Sequence, residues 1–404
     1  MTKDLTSSQL LDIAKQFGTP VYVYNADKIS SQYQKLKQAF KSQNVQFFYA
    51  SKALTNVSIL KHIKSIGSNV DCSSINEVKL ALHAGFAREN ILYTSNSISF
   101  SEIIEAADLG VHINIDSISN LEKFGKKYQH SYPVGIRWRP NILAGGNLKI
   151  STGHDRSKFG IPVDQIDKVL KIVEDNNMHI QTIHIHTGSE IKEVEIFAKG
   201  IEILFQLSVY FPELEIIDLG GGFKVPYQEN DSETDITLLS EKVEELFSNH
   251  FKKTGKNYQI WFEPGKYLVS EAGYFLAQVN VLKPTTATIF AGINTGFNHL
   301  VRPMFYDAYH RIENLSNVDG DEKNYSIVGN ICETDTFAWE RKMAEISEGD
   351  YLVFYNAGAY GFEMASNFNS RFKPAEIMVK DGKTMLIRKA DTFEDLLRNQ
   401  VEAI

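Results

Sequence analysis

Lys52 is the residue of this chain best placed for covalent chemistry. It follows the apolar run Phe47-Phe48-Tyr49-Ala50-Ser51, and a short apolar run of this kind is typical of a buried strand. A lysine amine attacks carbonyl carbons when desolvation lowers its pKa, and the end of a barrel strand supplies desolvation together with a fixed direction. We therefore predict a Schiff-base lysine. Because an isolated lysine usually faces water, this prediction depends on the residues that accompany it.

Other residues with chemical potential also follow apolar runs. They are Asp71, Ser95, Arg137, His186, Gly220, Gly221, Gly222 and Glu263. The three consecutive glycines let backbone N–H groups approach an anion such as phosphate, because no Cβ intervenes. Glu263 could keep an aromatic cofactor nitrogen protonated. The rival chemistry is zinc binding by His184 and His186, which alternate along one strand, although a core histidine satisfied by a hydrogen bond describes His184 better.

A strand–helix rhythm repeats eight times and positions these residues. We predict strands at 45–51, 69–73, 91–95, 111–116, 134–139, 180–187, 214–219 and 259–263, with helices such as 117–128, 164–177 and 235–254 between them. Eight βα units predict a (β/α)8 TIM barrel over residues 27–266. In that architecture the chemistry lies at the carboxyl ends of the strands, where the polar residues fall.

The pattern changes beyond residue 267 to strands without intervening helices. They are predicted at 274–282, 287–291, 325–331, 351–355 and 375–387, the last broken by the hairpin signal Asp381-Gly382. A strand at 21–24 could pair with this sheet. The fold class is therefore α/β, a barrel plus a second, all-β domain built from residues 1–26 and 267–404. Exposed loops are expected at 230–235 and 320–324.

Composition favours small-molecule chemistry. The 404 residues exceed one barrel, a hydrophobic content of 43% allows a large core, and the formal net charge is −8. Without a block of basic residues, we expect no nucleic-acid or membrane partner. Two cysteines, Cys72 and Cys332, exclude a disulfide framework and have no metal-binding spacing. No signal core or membrane-spanning run is present, so we expect a cytoplasmic protein. We also expect no metal, because Asp71 and Glu263 are the only obvious acids at the strand ends that could join the histidines as ligands.

One cofactor accounts for the set of strand-end residues. A Schiff-base lysine, a loop that binds phosphate and an acid that faces a ring nitrogen together favour pyridoxal 5'-phosphate. The residues by themselves indicate this cofactor and no particular substrate.

Six motifs, in order along the chain, resemble those of a known family. They are Tyr49-Ala50-Ser51-Lys52-Ala53, His186-Thr187-Gly188-Ser189, Glu263-Pro264-Gly265-Lys266, Arg302-Pro303-Met304-Phe305-Tyr306, Cys332-Glu333 and Ala357-Gly358-Ala359-Tyr360-Gly361. The chain resembles the fold-type III pyridoxal-phosphate-dependent decarboxylases, which have the alanine racemase-like fold, and most closely the branch that acts on diaminopimelate. The similarity covers nearly the whole chain.

The resemblance implies an activity and a role for each matching residue. The activity is decarboxylation of meso-2,6-diaminopimelate to L-lysine and CO2, the last step of lysine biosynthesis, with Lys52 and Cys332 catalytic. The implied cofactor-binding residues are Lys52, Asp71, His186, Ser189, Gly221, Gly222, Glu263, Gly265, Lys266 and Tyr360. The implied substrate-binding residues are Lys266, Arg302, Tyr306, Glu333 and Tyr360. The family forms a head-to-tail homodimer with shared active sites, in which Cys332 and Glu333 would enter the partner's site.

Two positions depart from the family pattern. Lys266 stands where the family has an arginine, which keeps the charge and loses the bidentate fork. The family's Cys-Glu-Ser-x-Asp loop is one residue shorter here, as Cys332-Glu333-Thr334-Asp335. Charge logic still favours diaminopimelate, because Lys266 and Arg302 could bind a distal carboxylate while Glu333 binds an ammonium group.

Three other functions stay open. The same fold and cofactor could serve a decarboxylase of another amino acid, a racemase, or a regulator that binds the cofactor without catalysis. The Cys332-Glu333 pair disfavours a racemase, and the two cations disfavour a simple diamine precursor as substrate. Retention of Lys52 and Cys332 argues against a regulator.

Overall fold

The structure is a computed structural model that describes residues 4–41, 44–140, 157–228 and 230–404. Within these residues the chain forms two compact units. The first comprises Gln32–Val225 and Ser232–Tyr267, and the second comprises Met1–Ser31, Pro226–Asp231 and Leu268–Ile404. None of the helices in the described ranges combines the length and the apolar character needed to cross a membrane.

The first unit is a closed barrel of eight parallel strands. In chain order these barrel strands, numbered one to eight, are Val45–Ala50, Asn69–Cys72, Ile91–Thr94, His112–Ile115, Val134–Arg139, Ile180–Ile185, Ile216–Asp218 and Gln259–Phe262. Each pairs with the next, and strand eight pairs with strand one. The predicted (β/α)8 barrel is confirmed. A two-residue strand, Ile161–Pro162, adds to strand five.

Helices alternate with these strands, and local capping sets their ends. They are Ala26–Ala39, Val57–Ser65, Ile75–Ala84, Phe100–Leu109, Ile118–Tyr128, Ile166–Asp175, Val194–Ser208, Ile236–Thr254 and the single turn Lys266–Val269. The helix Ile236–Thr254 shows the rule: the Asp235 side chain accepts the Leu238 N–H at its start, and Gly255, at a φ of 72°, ends it. A left-handed residue at this position is nearly free of strain only for glycine.

An aromatic and aliphatic cluster fills part of the barrel. Phe48, Leu92, Ile216 and Trp261 are buried against one another, and the rings of Phe48 and Trp261 lie 4.2 Å apart. These side chains come from strands one, three, seven and eight. Because the apolar residues occupy the strands, the polar residues that follow them come together at the carboxyl ends.

The second unit is a nine-stranded sheet with short helices. Its strands are Val21–Asn25, Gly273–Pro284, Ile289–Ile293, Ile312–Asn314, Glu322–Val328, Thr336–Ala344, Tyr351–Phe354, Ala375–Lys380 and Lys383–Arg388. The amino-terminal strand pairs antiparallel with Gly273–Pro284 and parallel with Ala375–Lys380, as the sequence predicted. Its core includes Leu10, Val23, Leu276, Val353 and Ile377.

Three expectations for this sheet were wrong. The strand predicted at 325–331 runs over Glu322–Val328, so most of the loop expected at 320–324 is strand. Its first residues are exposed on both faces and pair with Thr336–Ala344, a charged strand that the apolar pattern also missed. Short helices at Ser7–Phe17, Arg302–Tyr306 and Phe393–Leu397 interrupt or flank the strands. Exposed polar edges carry no hydrophobic alternation, so the sequence pattern does not reveal these strands.

Candidate active site

The register of the barrel strands lines up charged residues at their carboxyl ends. Arg137, His184 and Asp218 are direct neighbours across strands five, six and seven. Asp71 occupies strand two, next to Ala50 of strand one, and Glu263 follows strand eight. All five side chains are buried. Parallel pairing therefore builds a charged cluster from residues that are far apart in sequence.

Lys52 lies at this end of the barrel, in the one-turn helix Ser51–Ala53 that follows strand one. Its Nζ is 3.7 Å from Oδ2 of Asp71. The predicted position is therefore observed, whereas the predicted desolvation is not, because 42% of the lysine side chain is exposed. Lys52 is exposed because it lies in a turn beyond the end of strand one. Its partner Asp71 lies within strand two and is buried.

Glu263 is the carboxylate of the cluster that stays ionised. Burial alone would raise the pKa of its carboxyl, but His184 and Lys52 outweigh burial and hold that pKa below its usual value. The Oε1 atom is 3.4 Å from Nε2 of His184, which is long for a hydrogen bond. Among the described residues Oε1 has no hydrogen-bond partner, so a buried acceptor remains for an N–H group to satisfy.

Asp71 and Asp218 respond in the opposite sense. Burial, followed by the negative charge of Glu263, raises the pKa of each carboxyl well above its usual value. Burial also lowers the pKa of the neighbouring Arg137 guanidinium, and Glu263 is the first of the acids that oppose this shift. Within the cluster the pKa of the Glu263 carboxyl is therefore shifted down while those of Asp71 and Asp218 are shifted up.

His186 is fixed in a neutral form by the glycine loop. Burial, with Arg137 and Lys52 nearby, lowers the pKa of its imidazole to about 3. The Gly221 N–H donates a hydrogen bond to Nδ1 of His186 at 3.1 Å, so the ring proton belongs on Nε2. The sequence assigned the hydrogen-bonded core role to His184, and the structure gives that hydrogen bond to His186.

The three glycines are required by packing as well as by any ligand. A Cβ on Gly221 would lie 2.2 Å from the Glu263 carbonyl oxygen, and one on Gly222 would lie 2.3 Å from that of Gly188. Gly220 donates its N–H to Asp218, and Gly221 donates to His186. Within the described ranges the Gly222 N–H has no hydrogen-bond acceptor. The Gly221 N–H is thus used within the protein, whereas Gly222 keeps a donor for an anion.

Lys266 is paired with an acid that the sequence analysis missed. Its Nζ donates to Oε1 of Glu190 at 2.7 Å, and the lysine side chain is 9% exposed. Glu190 follows Ser189 directly, at a φ of 61°, which places the acid in the loop after strand six. Gly265, just before Lys266, has its Cβ position 3.1 Å from Cβ of Ala50. The cation is thus held by a neighbouring carboxylate and is not an isolated charge.

Two of the predicted substrate-binding residues of the second unit, Arg302 and Tyr306, differ in burial and in their contacts. Arg302 is buried, and its Nη1 donates to Oη of Tyr227 at 3.0 Å and to the Ala359 carbonyl at 3.1 Å. These contacts bring it to the segment that carries Tyr360, which has a φ of 56°. Tyr306 is partly buried, with its ring against Phe305. Tyr227 was not identified from the sequence, because nothing in its local pattern marks it.

Cys332 and Glu333 lie on an exposed segment that a buried acid anchors. The Cys332 N–H donates to Oδ1 of Asn369 at 2.9 Å, and its thiol is free and exposed. Asp335 is buried, and burial raises the pKa of its carboxyl to about 6, although N–H groups including that of Ile331 oppose this rise. The shortened loop is therefore held at both ends.

The barrel site fits a pyridoxal cofactor better than a zinc ion. Donor atoms of His184, Asp218 and Glu263 lie within 4.8 Å of one another and could in principle hold a metal. Two cations, Arg137 and Lys52, act on the same carboxylates, and a divalent ion there would be repelled. An amine, a buried acceptor for a ring N–H and a loop donor for an anion match the groups of pyridoxal phosphate.

Comparisons with known proteins agree with this chemistry. Residues 26–270 match the family model described as pyridoxal-dependent decarboxylase, pyridoxal binding domain. Diaminopimelate decarboxylase of Methanothermobacter thermautotrophicus is 36% identical, over 96% of this chain and 93% of its own. That of Campylobacter jejuni is 34% identical, over 95% and 96%. The Helicobacter pylori enzyme, solved with L-lysine, is 30% identical with a TM-score of 0.87, over 96% and 98%.

The barrel, the second sheet and the strand-end lysine define the class of pyridoxal-dependent enzymes with the alanine racemase-like fold. Within that class, the family match and the full-length similarities are decisive. The chain belongs to the pyridoxal-dependent decarboxylases, in the diaminopimelate decarboxylase family.

Replacing Asp335 with asparagine should change how stability depends on pH. The folded pKa is about 6 and the ordinary value is 3.8, so the folded chain holds this proton more tightly. The resulting stability is complete below about pH 4 and is lost as pH rises through about 6. The Tm of Asp335→Asn minus that of the native chain should therefore increase as pH is raised from 4.5 to 7.5.

The exposed Asp319 provides the control for this experiment. The difference in Tm between Asp319→Asn and the native chain should show no transition near pH 6. Parallel profiles for the native chain and Asp335→Asn would contradict the raised pKa.

Proposed function

We propose that this chain decarboxylates meso-2,6-diaminopimelate to L-lysine and CO2 with pyridoxal 5'-phosphate as cofactor. The observation that carries the proposal is the placement, at one end of the barrel, of Lys52 beside Asp71 together with a buried Glu263 whose pKa is held below its usual value. Membership of the diaminopimelate decarboxylase family and the L-lysine in the Helicobacter pylori structure support the choice of substrate.

Several barrel residues would hold the cofactor. Lys52 would bind its aldehyde carbon covalently, Glu263 would accept the ring N–H, and the neutral His186 would lie against the ring. Ser189 and Gly222 would donate to the phosphate, joined by Tyr360. We also assign Asp71, Gly221, Gly265 and Lys266 to the cofactor site, Gly221 and Gly265 through close packing. When bound, pyridoxal phosphate supplies an electron sink for the electrons of the departing carboxylate.

The ionised Glu263 is the residue that makes such a sink effective. A carboxylate opposite a ring nitrogen stabilises the protonated form of that nitrogen. Asp71 lies 3.7 Å from the Lys52 amine, and because its pKa is raised it competes for that amine less than an acid with an ordinary pKa would.

Residues of the second unit would recognise the substrate and return a proton. Glu333 would bind the distal ammonium group, and Arg302 with Tyr306 and Tyr360 would bind the distal carboxylate. Lys266 would also donate to this distal carboxylate while it keeps its contact with Glu190. The Sγ atom of Cys332 would donate a proton to the carbon that has lost CO2, since its thiol is exposed and a thiol can act as a general acid.

We further propose a homodimer in which Cys332 and Glu333 complete the partner's site. An exposed loop tip that carries a thiol and an acid suits a contact across subunits better than a role in its own core. The domain division at 27–266 against 1–26 with 267–404, and the cytoplasmic location, also stay predictions.

A substrate panel tests the proposed activity. Purified chain loaded with pyridoxal phosphate is incubated with meso-diaminopimelate, L-ornithine, L-arginine or L-lysine, and CO2 and amino-acid products are measured. We expect L-lysine and CO2 from meso-diaminopimelate, with kcat/KM at least about a hundredfold above the others, because a site built for two polar groups rejects analogues that lack one.

The other outcomes of the panel separate the alternatives. Preferred turnover of ornithine or arginine would indicate a different decarboxylase, and altered stereochemistry without CO2 would indicate a racemase. Cofactor binding without any product would indicate a regulator. Each of these results contradicts the proposal.

Subunit mixing tests the shared site. Lys52→Ala and Cys332→Ala should each be nearly inactive, and a mixture of the two should recover about a quarter of native activity. This fraction follows because about half of the dimers are mixed, and each mixed dimer has one intact site. Mass spectrometry of the mixture verifies the exchange.

The control is a mixture of Lys52→Ala with itself after the same exchange treatment, which should stay inactive. After borohydride reduction, Lys52→Ala should also lack the cofactor mass that the native chain retains. If exchange is complete and no activity returns, each site is built within one chain.

A further inference from the structure

A cluster of histidine and glutamate side chains lies at the amino ends of the barrel strands, away from the catalytic end. His130 belongs to the one-turn helix Gln129–Ser131 before strand five. His179 directly precedes strand six, and Glu213 precedes strand seven. The Val134 N–H donates to the His179 carbonyl at 3.0 Å, which ties two of these loops together. Strand pairing thus brings three ligand-type side chains to one place.

The donor atoms of this cluster are close enough to bind one ion. One donor from each residue lies within 4.8 Å of the others. Nε2 of His130 is 3.1 Å from both carboxylate oxygens of Glu213, and the His130 and His179 rings are stacked with centroids 5.1 Å apart. A tetrahedral zinc ion holds its donors roughly 3.4 Å apart. Rotation of the stacked imidazole rings, with a shortening of the distances between the donors, would close the cluster around an ion.

One further observation points to a ligand. Nε2 of His179 is screened from solvent and, within the described part of the chain, has no hydrogen-bond partner. A surface ion pair between His130 and Glu213 alone would leave the screened nitrogen of His179 unexplained.

We propose that His130, His179 and Glu213 form a binding site for a borderline divalent metal such as Zn²⁺. Two imidazoles and one carboxylate are ligands that zinc accepts, with a fourth position left for water. Mg²⁺ and Ca²⁺ prefer sites made of oxygen ligands, so they should not bind here. A bound ion would tie together the three loops that precede strands five, six and seven.

The site should stabilise the barrel without taking part in its catalysis. His179 and His184 are five positions apart along strand six, a distance of about 17 Å at 3.3 Å per residue. A metal that binds only the folded chain raises its stability by mass action. At a free metal concentration a hundred times the dissociation constant, Tm should rise by roughly 3 °C for a chain of this length.

The test uses the cofactor-loaded protein after removal of metal by a chelator. Binding of Zn²⁺ and of Mg²⁺ is measured by calorimetry, and Tm is measured with and without Zn²⁺. His130→Ala, His179→Ala and Glu213→Gln each remove one ligand, and the last keeps the size of the side chain. The matched control is His83→Ala, which removes an exposed histidine from the helix Ile75–Ala84.

We expect the native chain and His83→Ala to bind one equivalent of Zn²⁺ at this site and no Mg²⁺. Each ligand variant should bind that equivalent at least about a hundredfold more weakly, since loss of supporting groups alone costs ten- to hundredfold. Absence of zinc binding by the native chain would overturn the proposal. So would an equivalent retained by all three variants, which would belong elsewhere, for example to the exposed thiol of Cys332.

Discussion

The rest of the active site depends on one negative charge kept at Glu263 inside the barrel. Burial disfavours any carboxylate, and three buried carboxyls meet at this end of the barrel. His184 and Lys52 hold the pKa of the Glu263 carboxyl below its usual value, whereas burial raises that of Asp71 and Asp218. These opposite pKa shifts make Glu263 the acid of the cluster best suited to oppose a cation. The register of the barrel strands builds this charged cluster, since Arg137, His184 and Asp218 lie side by side.

The same crowding explains the glycine loop. The backbone of Gly220-Gly221-Gly222 passes so close to the segments after strands six and eight that side chains would collide with carbonyl oxygens. The Gly221 N–H then fixes the imidazole of His186, and the neutral ring avoids adding a cation next to Lys52. The three glycines therefore allow the close packing of this loop and fix the tautomer and the neutral charge of His186.

Sequence reasoning captured the parts of this protein that carry local patterns. The eight barrel strands, the amino-terminal strand of the second sheet and the strand-end position of Lys52 follow from apolar runs and their spacing. Pairings between distant residues had no such signal: the contact of Lys266 with Glu190 and that of Arg302 with Tyr227 depend on how loops fold. The charged strand Thr336–Ala344 was missed because its exposed residues do not alternate with apolar ones. Site roles came from ordered motifs, which identify residues and do not reveal their partners.

The charge at Glu263 is tested most directly by comparing native chain with Glu263→Gln, using the exposed Glu241→Gln as the control. Gln has nearly the same size, so the substitution removes the charge while it preserves the packing. Turnover of meso-diaminopimelate and the dissociation constant of pyridoxal phosphate are measured for each protein. We predict that kcat falls by on the order of a hundredfold or more while cofactor affinity changes by less than about tenfold. An unchanged kcat in Glu263→Gln would contradict the role of this carboxylate.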